Sequence, residues 1–207
     1  MNTFVWKRTR LVLFTALCVT SPWLMGCGHA KSGPTPTYVY VIDYSGSTAA
    51  TRKQQLGLMF AELESAPEET NVVIYRMGSD TQEIFSGPLG DSGTDTLIGP
   101  LKRDVLTSDA VRGTNFAKMT TALVAFSKTF TGTSYKLRVL TDGGNDYLDA
   151  QSLKAYREGA ITISRDKRMS SIIFYGVQPE FRQQIRTAFG STGPKLQILS
   201  QDQIAGL

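Results

Sequence analysis

The chain has 207 residues, of which 41% are hydrophobic, so it is long enough for one globular domain with a sizeable core and a short additional segment. Its net charge of +4 is concentrated at the N-terminus, because residues 1–26 hold three of the 22 basic residues and none of the 18 acidic ones. The remainder is therefore near neutral, and the absence of a basic stripe argues against a nucleic-acid-binding protein.

The N-terminal segment has the three parts of an export signal. Basic residues within positions 7–10 precede an apolar run over residues 11–24, which ends in Leu24-Met25-Gly26-Cys27. The run is shorter than the ~20 apolar residues of a comfortable membrane span. We therefore predict that residues 1–26 are a signal peptide.

The end of this segment resembles the lipobox of bacterial lipoproteins, in which a small residue precedes a cysteine that is lipidated after cleavage. The resemblance implies that Cys27 carries lipid. The residues that follow it are small, polar and proline-containing, so residues 27–37 are predicted to form a flexible linker to the membrane. Gly28 in place of aspartate resembles sorting to the outer membrane of Gram-negative envelopes, facing the periplasm. The alternative is an ordinary signal peptide with a cysteine placed there by chance. The other cysteine, Cys18, lies in the removed part, so the mature domain has no thiol for a disulfide or a nucleophile.

Residues 38–207 alternate predicted strands and helices. The strands are expected at residues 38–42, 71–77, 81–85, 135–140, 171–177 and 195–199. The helices are expected at residues 47–63, 116–130, 148–157 and 180–189. Residues 87–112 fit the pattern less well, and a short helix over residues 95–106, broken by Gly99 and Pro100, is one reading of them.

The alternation predicts an α/β domain that is doubly wound, with a mostly parallel six-stranded sheet and helices on both faces. The third strand follows the second after a short turn, so it is expected to pair antiparallel at an edge of the sheet. In such a sheet, ligands bind beyond the carboxyl ends of the strands, where the strand order reverses.

Three polar segments are expected at that rim. The first strand ends in Asp43-Tyr44-Ser45-Gly46-Ser47, the fourth in Thr141-Asp142-Gly143, and Gly113-Thr114-Asn115 precedes the strongest helix. Two carboxylates and three hydroxyls there would supply only oxygen ligands, which suit Mg²⁺, Mn²⁺ or Ca²⁺ better than zinc.

This constellation resembles the von Willebrand factor A (VWA) family over about residues 38–200. The resemblance implies a metal-ion-dependent adhesion site (MIDAS) whose ligands are Asp43, Ser45, Ser47, Thr114 and Asp142. It also implies a protein partner that offers an acidic residue to an open position on the metal. Tyr44, Asn145 and Asp146 are the expected partner contacts.

Each segment alone is also typical of an ordinary turn or helix cap, so a VWA-like domain that binds no metal and serves in envelope assembly stays an alternative. An enzyme is less favoured. The only histidine, His29, lies in the linker, which argues against a Ser-His-Asp hydrolase. A phosphatase that uses Asp43 as nucleophile usually has a second aspartate two residues later, where this chain has Ser45. We therefore expect a lipid-anchored binding protein outside the cytoplasm, with no prediction of its oligomeric state.

Overall fold

The computed structural model describes residues 35–107 and 113–205. It contains a six-stranded sheet. The strands are β1 (Thr37–Asp43), β2 (Asn71–Met77), β3 (Thr81–Pro88), β4 (Tyr135–Leu140), β5 (Met169–Tyr175) and β6 (Leu196–Leu199). The helices are α1 (Arg52–Glu64), α2 (Asp95–Thr107), α3 (Phe116–Thr129), α4 (Ala150–Arg165), α5 (Arg182–Phe189) and α6 (Gln201–Ala205).

The strand order in the sheet is β3-β2-β1-β4-β5-β6, which is the doubly wound arrangement predicted from the alternation of elements. All neighbouring pairs are parallel except β2 and β3, which form an antiparallel hairpin with an irregularity between Ile74 and Tyr75. The predicted fold class, including the single antiparallel edge strand, is confirmed. The order reverses between β1 and β4, so the topological switch point lies between these two central strands.

Alternate side chains of the central strands fill two hydrophobic cores, one on each face of the sheet. Val39 and Val41 of β1 pack into the core under α3, α4 and α5, while Tyr40 and Ile42 pack into the core that α1 covers. Because both faces of the parallel strands are buried, β1 reads as an unbroken apolar run in the sequence. The polar residue that ends this run, Asp43, is therefore placed at the edge of both cores.

Several helices differ from their predicted extents, and α1 begins five residues later than expected because a separate 3-10 turn, Gly46–Thr48, precedes it. Helix α2 continues through Pro100 instead of breaking there, because Leu97 and Leu101 are both buried against the core on the α1 face. Helix α4 begins two residues later than predicted and extends eight residues further. Glycine is unfavourable inside a helix, but Gly159 lets α4 approach α3 closely: a Cβ atom there would lie 2.6 Å from the Thr120 Cβ.

The predicted signal peptide, Cys27 and most of the linker lie outside the described residues. Strand β1 begins at Thr37, so the structured domain starts one residue earlier than expected. No helix within residues 35–107 and 113–205 is both long enough and apolar enough to cross a membrane.

Candidate functional site

The candidate site lies at the switch point, where the carboxyl ends of β1 and β4 are adjacent. Ile42 of β1 is opposite Leu140 of β4 in the parallel register. The next residues along each strand, Asp43 and Thr141, therefore emerge side by side. Ligands bind at this position in open α/β sheets because the strand order reverses there and the two following segments separate.

Asp43 is the centre of the site. Its side chain is fully buried (0% exposed), and both carboxylate oxygens accept hydrogen bonds. The Ser45 backbone N–H donates to Oδ1 over 2.9 Å, and the Thr141 hydroxyl donates to Oδ2 over 2.7 Å. The Thr114 hydroxyl lies 3.3 Å from each of the two oxygens. Three separate segments of the chain therefore converge on one carboxylate.

The turn after β1 brings two more hydroxyls to the same place. The Ser45 and Ser47 hydroxyl oxygens are 3.0 Å apart, with Ser45 buried and Ser47 exposed. Ser47 lies in a single turn of 3-10 helix, Gly46–Thr48, that directly follows Ser45. This turn carries the serine side chains from the buried carboxylate outward to solvent.

Thr114 is held by segments on both sides. Its N–H donates to an Asp146 carboxylate oxygen over 2.7 Å, and its carbonyl accepts from the Asp146 N–H over 3.0 Å. The next residue, Asn115, donates its N–H to the carbonyl of Gly78 beyond β2 and caps α3 with its side chain, which accepts from the Lys118 N–H. Thr114 is thus fixed between the ends of β2 and β4.

Asp142 directly follows Thr141 and is also largely buried, with 7% of its surface exposed. Its side chain accepts from the Gly144 N–H over 2.9 Å, and its carbonyl accepts from the Gln178 N–H over 2.8 Å. The following residue, Gly143, has φ +91°, and a Cβ atom there would lie 2.9 Å from both Phe181 and Val177. A glycine is required at this turn for both reasons.

Sequence reasoning missed three residues that build the site. Arg52, in the first turn of α1, donates from its guanidinium group to the Asp43 carbonyl over 3.2 Å and to the Ser45 carbonyl over 2.9 Å. Thr48 donates its hydroxyl to the same Asp43 carbonyl over 2.8 Å. Thr141 donates to the Asp43 carboxylate itself. Thr141 adjoins a predicted ligand, which was a usable signal, whereas nothing in the sequence marks Arg52.

The electrostatics of the site disfavour an ionised Asp43 in the absence of a cation. Burial raises the pKa of the Asp43 carboxyl, hydrogen bonds from Ser45 and Thr141 oppose this effect, and the negative charge of Asp142 adds to it. Within residues 35–107 and 113–205, no ion pair neutralises Asp43 or Asp142. A bound cation would remove the cost of placing these two carboxylates together.

The donor set fits a hard divalent cation. It consists of two carboxylates and three hydroxyls, all oxygen ligands of the kind that Mg²⁺, Mn²⁺ and Ca²⁺ prefer. The described part of the chain contains no group of three or more His, Cys, Asp or Glu residues placed to hold a metal. Any cation bound here would therefore depend on the hydroxyls. The two carboxylates would just balance the charge of a Mg²⁺ ion, so the occupied site would carry no excess negative charge.

The structure corrects one expected partner contact. The Tyr44 side chain is 0% exposed, and the Arg52 guanidinium lies 4.7 Å from the centre of its ring. It belongs to the core beneath α1 and has no surface to offer a partner. Asn145 is also nearly buried, with its amide bonded to Phe116 and Tyr147, whereas Asp146 is exposed at the rim.

Comparisons with solved structures agree with the topology. The chain superimposes on the PilB minor pilin (D319A mutant) from Streptococcus sanguinis with a TM-score of 0.63 and 14% identity, covering 84% of this chain and 59% of the pilin. It superimposes on a von Willebrand factor type A protein from Catenulispora acidiphila with a TM-score of 0.58 and 14% identity, covering 84% of this chain and 41% of that one. It superimposes on manganese-loaded TRAP protein from Plasmodium vivax with a TM-score of 0.60 and 15% identity, covering 84% of this chain and 71% of that one.

The domain has the VWA fold, and it spans little more than half the length of the pilin that it resembles. The sequence matches no protein-family model and none of the curated proteins. At identities near 15%, the likeness concerns the fold alone.

Proposed function

We propose that this VWA domain is a binding module that holds a divalent cation, most simply Mg²⁺, at Asp43, Ser45, Ser47, Thr114 and Asp142, and that recognises a protein partner through that cation. The single observation that carries the proposal is the convergence of three chain segments on the buried Asp43 carboxylate at the switch point of the sheet. Bound there, the cation would supply an open coordination position for an oxygen ligand of the partner. VWA-fold relatives support the choice of metal, since one of them is described as manganese-loaded.

The hydroxyl ligands determine what kind of partner ligand is favoured. Serine and threonine hydroxyls are neutral, so two carboxylates are the only charged ligands that the described residues offer. A carboxylate from the partner would complete the coordination of a hard cation and add a favourable charge interaction. We therefore propose that the partner contributes an aspartate or glutamate.

We also propose that the domain is not an enzyme. The chain's only histidine, His29, lies in the predicted linker, and the guanidinium group of Arg52 is engaged with main-chain carbonyls, so the carboxylates are the candidate acids and bases of the site. Ser45 stands where a haloacid-dehalogenase-type phosphatase would have its second aspartate. An assay with p-nitrophenyl phosphate and Mg²⁺ tests this, and turnover abolished by Asp43→Asn would contradict the proposal.

The location of the domain is proposed from the sequence. Lipidation of Cys27 would tether it to a membrane outside the cytoplasm, at the periplasmic face of the outer membrane in a Gram-negative organism. Pilin and VWA neighbours are consistent with a place in the envelope. Cys27→Ser should leave an unprocessed precursor or release the protein from the membrane fraction. A wild-type protein that is soluble, with an unmodified N-terminus at another residue, would contradict the lipid anchor.

Isothermal titration calorimetry on the purified chain tests the metal site directly. We expect one Mg²⁺ or Mn²⁺ site in the wild type and none in Asp142→Ala. Asp149→Ser is the matched control, since it removes one carboxylate that lies on the surface and outside the proposed ligands, and it retains a good helix cap. Absence of binding at millimolar ion would favour the alternative, a metal-free assembly module of the envelope.

A further inference from the structure

Leu148 is the most exposed large hydrophobic residue in the described part of the chain. Its side chain is 61% exposed, against 47% for Ile98 and 38% for Ile161. Single exposed hydrophobic residues are common and need no explanation by themselves. Leu148 differs from such residues in two ways: it lies beside the candidate metal site, and hydrogen bonds hold its loop in place.

Leu148 lies beside the candidate metal site. It belongs to the loop that leaves β4 through Asp142 and enters α4 at Ala150. Two residues before it, Asp146 forms the reciprocal hydrogen bonds with Thr114. Since two residues of extended chain span at most about 7 Å, the Leu148 backbone lies close to the segment that carries Thr114.

The loop is tied down on both sides of Leu148. The Asn145 amide donates to the Tyr147 carbonyl over 3.2 Å, and its oxygen accepts from the Phe116 N–H over 3.3 Å. On the other side, the Asp149 carboxylate accepts from the Ser152 N–H over 2.9 Å and caps α4. A partner that covers Leu148 would therefore not need to order the loop, which lowers the entropic cost of binding.

The charged residues that flank Leu148 are both acidic. Asp146 and Asp149 are exposed, and neither forms an ion pair within the described residues. A partner carboxylate on the metal would approach this negative rim, so a basic side chain beside it would be favoured.

We propose that the partner presents a segment with three features: a carboxylate that enters the metal coordination, an apolar side chain that covers Leu148, and a lysine or arginine that faces Asp149. This inference rests on the proposed function and assigns Leu148 as a determinant of specificity at the same site. An apolar contact next to a charged one makes the recognition more selective than the metal alone, because any exposed acid could otherwise bind.

A random peptide library displayed on phage tests the proposal. The full chain, immobilised in detergent with Mg²⁺, is panned, and bound phage are eluted with EDTA. We expect the eluted sequences to be enriched in Asp or Glu with an apolar residue and a Lys or Arg within about four positions, a span of roughly 14 Å. Leu148→Ser should weaken a selected synthetic peptide about tenfold, equivalent to about 1.4 kcal/mol, while EDTA elution is retained.

Two further variants make the outcome specific. Asp149→Ser keeps the helix cap and should weaken the peptide two- to threefold, with a smaller salt dependence. Ile161→Ser removes an exposed hydrophobic residue of α4 about 16 Å further along the chain and should change nothing. Acidic peptides that lack an apolar preference and bind Leu148→Ser as well as wild type would overturn the inference but leave the proposed function standing. Failure to elute any acidic peptide with EDTA would instead count against the proposed function.

Discussion

The substitution Asp43→Asn separates the effect of the metal from the effect of the buried charge. The side chain is fully buried and accepts hydrogen bonds from Ser45, Thr141 and Thr114, and asparagine keeps its shape while it removes the charge. The wild type should be stabilised by Mg²⁺, because a ligand that binds only the folded state stabilises it by RT ln(1 + [L]/Kd). The variant should gain almost nothing from the ion.

The size of the effect follows from the size of the domain. At a Mg²⁺ concentration of about 100 times Kd, the stabilisation is about 2.7 kcal/mol. For a domain of 150–250 residues, each kcal/mol shifts Tm by about 2–4 °C. Wild type should therefore unfold about 5–11 °C higher in Mg²⁺ than in EDTA, measured by thermal circular dichroism. The Tm of Asp43→Asn should change by less than about 1 °C.

The pH dependence in EDTA provides an independent check on the buried charge. Burial raises the pKa of Asp43 in the folded state above its ordinary value. A raised folded pKa contributes stability below the unfolded pKa, near 3.9, and that stability is lost as the pH rises through the folded pKa. The free energy of unfolding of wild type, relative to that of Asp43→Asn, should thus increase as the pH falls from 7 toward 4. A wild type that weakens relative to the variant on acidification, or a variant that keeps the full Mg²⁺ shift, would refute the reasoning.

Three other substitutions test how the site and its support are built. Arg52→Met removes the two donors that hold the Asp43 and Ser45 carbonyls, so the Mg²⁺ affinity measured by calorimetry should fall about tenfold, and Arg52→Lys should have an affinity between wild type and Arg52→Met. An unchanged affinity would show that Arg52 only packs against its neighbours. Thr141→Val removes the 2.7 Å hydrogen bond to the Asp43 carboxylate and should cost about 1.5–3 kcal/mol in urea unfolding, whereas a cost near zero would mean that water replaces the bond. Arg138→Met breaks an ion pair with Glu62 and should lower the free energy of unfolding by about 2–3 kcal/mol, which is below the usual range for buried pairs because the Glu62 side chain is 22% exposed. The double variant with Glu62→Met should recover most of this loss.

The fold was predictable because most elements have a strong local signal. The apolar run of β1 and the period of Met119 and Leu123 on α3 match their burial in the structure. Where the prediction was wrong, tertiary packing overrode a local preference. Burial of Leu97 and Leu101 carries α2 through Pro100, and close contact with α3 explains Gly159 inside α4. Neither effect is visible until the neighbouring element is in place.

The candidate site was predictable for a different reason. Four of its five proposed ligands, all except Thr114, lie at or just after the ends of β1 and β4, and topology alone brings these two ends together. Tyr44 was misplaced because a residue in the middle of a polar turn reads as exposed, whereas here its ring is buried beneath Arg52. Arg52 was missed because its role depends on α1 starting at the right angle to reach back to the turn.

Arg52 and Leu148 together explain how a site with few charges could still be selective. Arg52 fixes the carbonyls behind Asp43 from the protein side, so the hydroxyls of the turn are held in place before any ion arrives. Preorganised ligands lose little entropy on binding, which compensates for the weak donor strength of neutral hydroxyls. On the solvent side, Leu148 and Asp149 lie on a tied loop beside the same ligands. The inner residues would thus set the affinity for the cation, and the outer residues would decide which acidic partner completes its coordination.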